Sequence, residues 1–128
     1  MERTLIPSGS PFERTIGFSR AVRIGNKIAV SGTAPIADGK SAFIGDAYEQ
    51  TKLCLTTIQK AIEEAGGKLE NTVRTRVFLT DKQVWEDVAK AHGEFFKDIK
   101  PCTSMIEVKG LIAPEYLIEI EATAVISE

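Results

Sequence analysis

The sequence predicts an α+β fold: a two-layer sandwich in which two helices cover one face of a single mixed β-sheet. Two segments carry apolar residues at helical spacing, several others alternate with period two, and they follow one another as β-β-loop-α-β-α-β-β. At 128 residues, 43% of them hydrophobic, the chain has the commonest size for one compact domain. It is expected to form a single domain, 1–128, with no linker, internal repeat or low-complexity tract.

The first strand pair lies in "SRAVRIGNKIAVSG". Ala21, Val22 and Ile24 precede a Gly25-Asn26 turn, and Ile28, Ala29 and Val30 follow it, which is a hairpin pattern. From Asp46 the period changes. Ala47, Thr51, Cys54, Leu55, Ile58, Ala61, Ile62 and Ala65 trace one helical stripe, opened by Asp46 and Glu49 in a capping-box pattern and closed by Gly66-Gly67. "TVRTRVFLT" is a strand with Val73, Thr75, Val77 and Leu79 on one side and Arg74, Arg76 and Phe78 on the other. Asp81 opens a second helix with the stripe Val84, Val88, Ala91, Phe95 and Ile99, and Pro101 stops it. Trp85 is expected to anchor this helix to the sheet. Two strands close the chain, roughly 103–108 and 116–126.

In the last strand, "LIEIEATA" turns Ile118, Ile120, Ala122 and Ala124 one way and Glu119, Glu121 and Thr123 the other. If the isoleucines meet the helices, the second face of the sheet gathers both glutamates with Arg74, Arg76 and Phe78. Such a face is too apolar for plain solvent and too polar for a core. A symmetric homo-oligomer packed through it is therefore expected, with ligand sites between subunits.

Sixteen basic and eighteen acidic residues give a net charge of −2. That leaves little general attraction for nucleic-acid phosphates or anionic membranes, so neither is an expected partner. "MERTLIPSGS" lacks the charged region and apolar run of a signal peptide, and no apolar stretch approaches membrane-spanning length, so the expected location is the cytoplasm. Cys54 and Cys102 belong to no metal or C-x-x-C pattern and are expected as reduced thiols. No phosphate-cradling, dinucleotide, zinc-protease or nucleophile-elbow motif is present.

Four stretches, "GFSRAVRIGNKIAVSG", "EQTKLCLTTIQKAIEEAGG", "VRTRVFLTD" and "KPCTSMIEV…LIEIEATAV", together resemble the RidA proteins, also called YjgF or endoribonuclease L-PSP proteins, over nearly the whole chain. The resemblance implies a chorismate-mutase-like fold assembled as a homotrimer with pockets at the subunit interfaces. It also implies cofactor-free and metal-free hydrolysis of reactive enamines and imines, such as 2-aminoacrylate, to a keto acid and ammonia.

On the matching positions, the glutamate that positions water falls on Glu119, and pocket-lining residues fall on Ser31 and Gly32. A pocket tyrosine is replaced by Phe18, and an asparagine of the second helix by Ala89. The arginine that grips the substrate carboxylate falls on Thr103, within Pro101-Cys102-Thr103-Ser104. Losing that charged two-point contact removes roughly 1.5 to 3 kcal/mol, so affinity for 2-aminoacrylate would fall by a factor of about ten to a hundred or more.

Arg20 shares a strand face with Phe18 and is the candidate to supply the missing cation; its ordinary alternative is a solvated hairpin arginine. His92 and Met105 complete the expected substrate-binding set. Glu119 is the expected catalytic acid, Glu121 a structural one, and Cys102 an inert small residue. Three functions follow in order: a deaminase acting on a small enamine or imine with altered substrate choice, a non-catalytic metabolite-binding module, and an endoribonuclease. The last ranks lowest, because one histidine and an acidic balance suit RNA cleavage poorly.

Overall fold

A computed structural model describes residues 1–127. In chain order it contains β1 (Arg3–Ile6), α1 (Glu13–Ile16), β2 (Ala21–Ile24), β3 (Lys27–Thr33), β4 (Ile36–Ala37), β5 (Lys40–Ser41), α2 (Ala47–Glu64), β6 (Thr72–Leu79), α3 (Trp85–Phe96), β7 (Cys102–Glu107) and β8 (Ile118–Val125). Six strands form one sheet in the order β1-β2-β3-β8-β6-β7, and β4 and β5 pair separately. Only β6 and β7 run parallel, joined by the crossover through α3; the other pairs are antiparallel. The sheet is therefore mixed, and α2 and α3 lie together on one of its faces.

α2 forms where its stripe and caps require it. The Asp46 carboxylate accepts the Glu49 N–H at 3.0 Å. At the other end Gly66 takes a φ of 96°, and the Gly67 and Gly66 N–H groups donate back to the Ile62 and Glu63 carbonyls, a Schellman closure that only a residue tolerant of positive φ completes. Its face presents Cys54, Leu55, Ile58 and Ile62 to Ile28, Val30, Val77, Ile118 and Ile120, all buried. Each fully buried Leu or Ile side chain contributes about 1.5–3 kcal/mol. Gly25 makes the β2–β3 turn with a φ of 61°.

Four details depart from the sequence expectations. The opening segment contributes the edge strand β1, hydrogen-bonded along β2. Val73 is 44% exposed because a register shift between Thr72 and Arg74 turns it out, and Thr72 is buried instead. On α3 the deep residues are Val88, Ala91, His92 and Phe96, with Phe95 and, past the end of the helix, Ile99 only partly covered. Trp85 is 52% exposed, since the helix begins on a 3-10 turn and its first position faces outward. Among the described residues no helix is long and apolar enough to cross a membrane.

Candidate functional site

The alternation in β8 is complete. Ile118, Ile120, Ala122 and Ala124 are buried under the helices, and Glu119, Glu121, Thr123 and Val125 lie on the open face. The two glutamates then part company. Glu121 sits opposite Arg76 and pairs with it at 2.8 Å, a half-exposed ion pair. Glu119 sits opposite Phe78 and forms no ion pair among the described residues. Desolvation raises its carboxyl above the ordinary value, the nearby Arg20 charge opposes this, and Glu121 adds to it.

A bulge in β3 builds the rest of this cluster. Val30 pairs with Ala122 and Thr33 with Ile120, so Ser31 and Gly32 together span the place of one residue. Thr33 is thereby turned inward and buried. Gly32 lies under the Glu119 side chain so closely that a Cβ there would stand 2.6 Å from Oε1.

Arg20, just ahead of β2, closes the group. Its Nη1 donates to the Ser31 hydroxyl at 2.9 Å, the Gly32 carbonyl at 2.9 Å and the Thr33 hydroxyl at 3.2 Å. Those bonds hold the guanidinium in one orientation and engage no other nitrogen of its fork. Its carbon lies 6.0 Å from the Phe18 ring centre. Burial pulls the guanidinium below its ordinary value, with Glu119 the largest opposing influence. Beneath the cluster Cys54 is fully buried, and burial pushes its thiol far up.

The other expected residues lie elsewhere. Register carries one row of side chains across the sheet, from Ile6 through Ala21, Val30, Ala122 and Thr75 to Thr103, and that row faces the helices. Thr103 and Met105 therefore stand on the opposite face from Glu119 within one chain. The Thr103 hydroxyl is 2.9 Å from the Thr75 hydroxyl, which is 2.9 Å from His92 Nε2. His92 is a buried member of this second group, with Phe96 at 4.7 Å between ring centres, and burial lowers its pKa.

One chain thus brings together Phe18, Arg20, Ser31, Gly32 and Glu119, and separately His92, Thr103 and Met105. Thr75 and Thr33 were not singled out from the sequence. A threonine at an inward strand position, needing a partner for its hydroxyl, was the available signal.

A concavity of about 720 Å³ is walled by the amino-terminal loop and reaches Phe18 but neither Glu119 nor Arg20. Among the described residues no three His, Cys, Asp or Glu side chains are grouped to hold a metal. Both cysteines are free.

Residues 10–126 match the family described as endoribonuclease L-PSP. The chain belongs to that family. A crystal structure of a YjgF-family protein from Mycobacterium tuberculosis is 44% identical, covering 98% of this chain and 100% of that one with a TM-score of 0.89. An uncharacterized protein of Streptomyces coelicolor is 38% identical over 93% of this chain and 89% of its own length. The relatives of this chain also include a 3-aminoacrylate deaminase, RutC, of Acinetobacter baylyi, 30% identical over 94% of both chains.

Proposed function

We propose that the protein hydrolyses small enamines and imines to a carbonyl compound and ammonia, without a cofactor, at sites formed between the subunits of a homotrimer in the cytoplasm. The observation that carries this reading is the Glu119 carboxyl. It is partly dry, raised in pKa, seated on Gly32, and free of the ion pair that occupies its neighbour Glu121. A carboxyl so placed holds a proton more readily than an ordinary carboxylate, which suits it to pass protons between water and a leaving amine. With the substrate as its imine tautomer, it takes a proton from water as the oxygen adds to the C=N carbon and passes it to the nitrogen; it then moves the adduct's hydroxyl proton to the same nitrogen, which leaves as ammonia while the C=O bond forms. The RutC relative, named for the deamination of 3-aminoacrylate, supports the reaction class.

Arg20 holds the substrate's carboxylate in this reading. Its Nη1 is engaged by Ser31, Gly32 and Thr33, and the rest of the fork is available beside Glu119. The trimer is supported by the open face, where Leu5 is 54% exposed and Ile106 is also exposed, on the same side as Arg74 and Arg76. It is supported further by the division of the expected residues. Glu119 and Thr103 leave opposite faces of one chain, so a pocket containing both needs a second copy. RNA cleavage, the activity in the family description, is less well supported. The one histidine of the sequence is buried against Thr75 instead of standing ready as an acid or base.

The test is a coupled assay in which a pyridoxal-phosphate dehydratase generates 2-aminoacrylate and keto-acid release is timed with and without the protein. Acceleration that disappears in Glu119→Ala is expected. No acceleration, or acceleration that survives the substitution, would overturn the reading. Native mass spectrometry should show three copies, and a monomer at micromolar concentration would remove the interfacial site.

A further inference from the structure

The hydroxyl of Thr103 ends a chain of hydrogen bonds that starts on a buried imidazole, and of the two directions that chain can run only one supplies a proton to all three contacts. Each threonine hydroxyl has one proton to give. Thr103 Oγ1 lies 3.2 Å from the Pro101 carbonyl, which can only accept, so Thr103 gives its proton there. The 2.9 Å contact between Thr103 and Thr75 must then be filled by the Thr75 proton. With that proton committed, Thr75 can only accept at its 2.9 Å contact with His92, and in this direction Nε2 carries the hydrogen.

We infer that His92, held as the Nε2–H tautomer, acts through Thr75 as a positioning residue that makes the exposed Thr103 hydroxyl a hydrogen-bond donor toward a bound carboxylate or carbonyl oxygen. The Pro101 contact is the longest of the three, at 3.2 Å, and is the one a ligand oxygen displaces. With the opposite tautomer, Thr75 would give its proton to Nε2 and Thr103 its own to Thr75. Thr103 would then face a ligand oxygen with lone pairs alone.

The surroundings favour a fixed tautomer. His92 and Thr75 are both buried, Thr75 completely, so water does not scramble the bonds. The Phe96 ring packs against the imidazole with centres 4.7 Å apart. Thr103 itself is on the exposed edge strand, where a ligand or a neighbouring subunit can reach it. The ligand-facing part of this inference rests on the interfacial site proposed above, whereas the tautomer does not.

Because His92 is the only histidine in the sequence, a two-bond ¹H–¹⁵N correlation spectrum of uniformly labelled protein reads it alone. A pyrrole-type Nε2 and a pyridine-type Nδ1 are expected, and in Thr75→Val the two should move toward each other as the tautomers mix. A pyridine-type Nε2 in the unaltered protein would overturn the relay. Pyruvate is the probe for the ligand half. Its affinity should fall about five- to tenfold in Thr103→Val and equally in Thr75→Val, with no further loss in the double variant and recovery in Thr75→Ser.

Absence of pyruvate binding by the unaltered protein, or loss in Thr103→Val but not in Thr75→Val, would overturn the donor role. If the tautomer and pyruvate results hold and the coupled 2-aminoacrylate assay still fails, the hydrolytic reading falls and the relay stands.

Discussion

Gly32→Ala isolates the geometry of Glu119 from the stability of the fold. Gly32 does not have a positive φ, so the backbone accepts alanine without strain. The added Cβ would stand 2.6 Å from Glu119 Oε1 and 3.2 Å from Cδ, about 0.8 Å inside ordinary contact at the oxygen. The obstacle is the end of a flexible side chain, so Glu119 gives way. An off-rotamer torsion costs about 0.5–1.5 kcal/mol, and replacing glycine by alanine at a permitted φ recovers about 0.4–1 kcal/mol through the unfolded chain. Net stability should stay within about 1 kcal/mol of the parent.

Catalysis is far less tolerant. Displacing a reacting group by about 1 Å costs on the order of 100-fold, equivalent to about 2.7 kcal/mol of barrier. Denaturant unfolding should therefore show a nearly unchanged midpoint while the coupled 2-aminoacrylate assay shows kcat/KM down about 100-fold. Undiminished activity in a folded variant would refute the placement of Glu119 as the proton-handling group. A collapse of stability would refute the claim that only a side-chain end is in the way.

Glu119→Gln should abolish turnover by about 100-fold or more in the same assay. It should also raise the melting temperature at pH 7 while leaving it unchanged below about pH 4. A carboxyl whose folded pKa is raised contributes stability below its unfolded value and loses it as pH climbs through the folded value, so glutamine removes a cost present only above that range. Arg20→Gln should raise KM for 2-aminoacrylate about tenfold or more and destabilise the fold by about 1–3 kcal/mol, because it leaves the Ser31, Gly32 and Thr33 acceptors short of a charged donor; steady-state kinetics and urea melts read both. Cys54 should resist thiol reagents in the native protein and react only on unfolding, as a fully buried thiol with a raised pKa must; mass spectrometry after timed alkylation follows this.

The parts that were legible from sequence are those governed by local chemistry. The α2 stripe with Asp46 and Gly66 at its ends, the Gly25-Asn26 turn and the alternation of β8 all appear as read, because caps, positive φ and side-chain period depend on neighbours along the chain. β1 escaped notice because a four-residue edge strand beside Pro7 has too little pattern of its own and exists through its pairing with β2. The shift at Thr72–Arg74 likewise reversed Val73, since a bulge is a property of two strands together.

The same division runs through the site. Alternation alone determined that Glu119 leaves the core face of its strand, and the apolar stripes determined that two helices would cover the other face. Tertiary structure decided that Glu121 and not Glu119 takes Arg76, that the β3 bulge sets Gly32 against the carboxylate, and that Arg20 spans Ser31 to Thr33. It also decided that Thr103, 28 residues from its hydrogen-bonding partner Thr75, belongs with His92 on the helix-facing side. A side chain's face follows from the period of its own strand. Which residues share a site follows from register between strands distant in sequence, and register is settled only when the whole sheet packs against its helices.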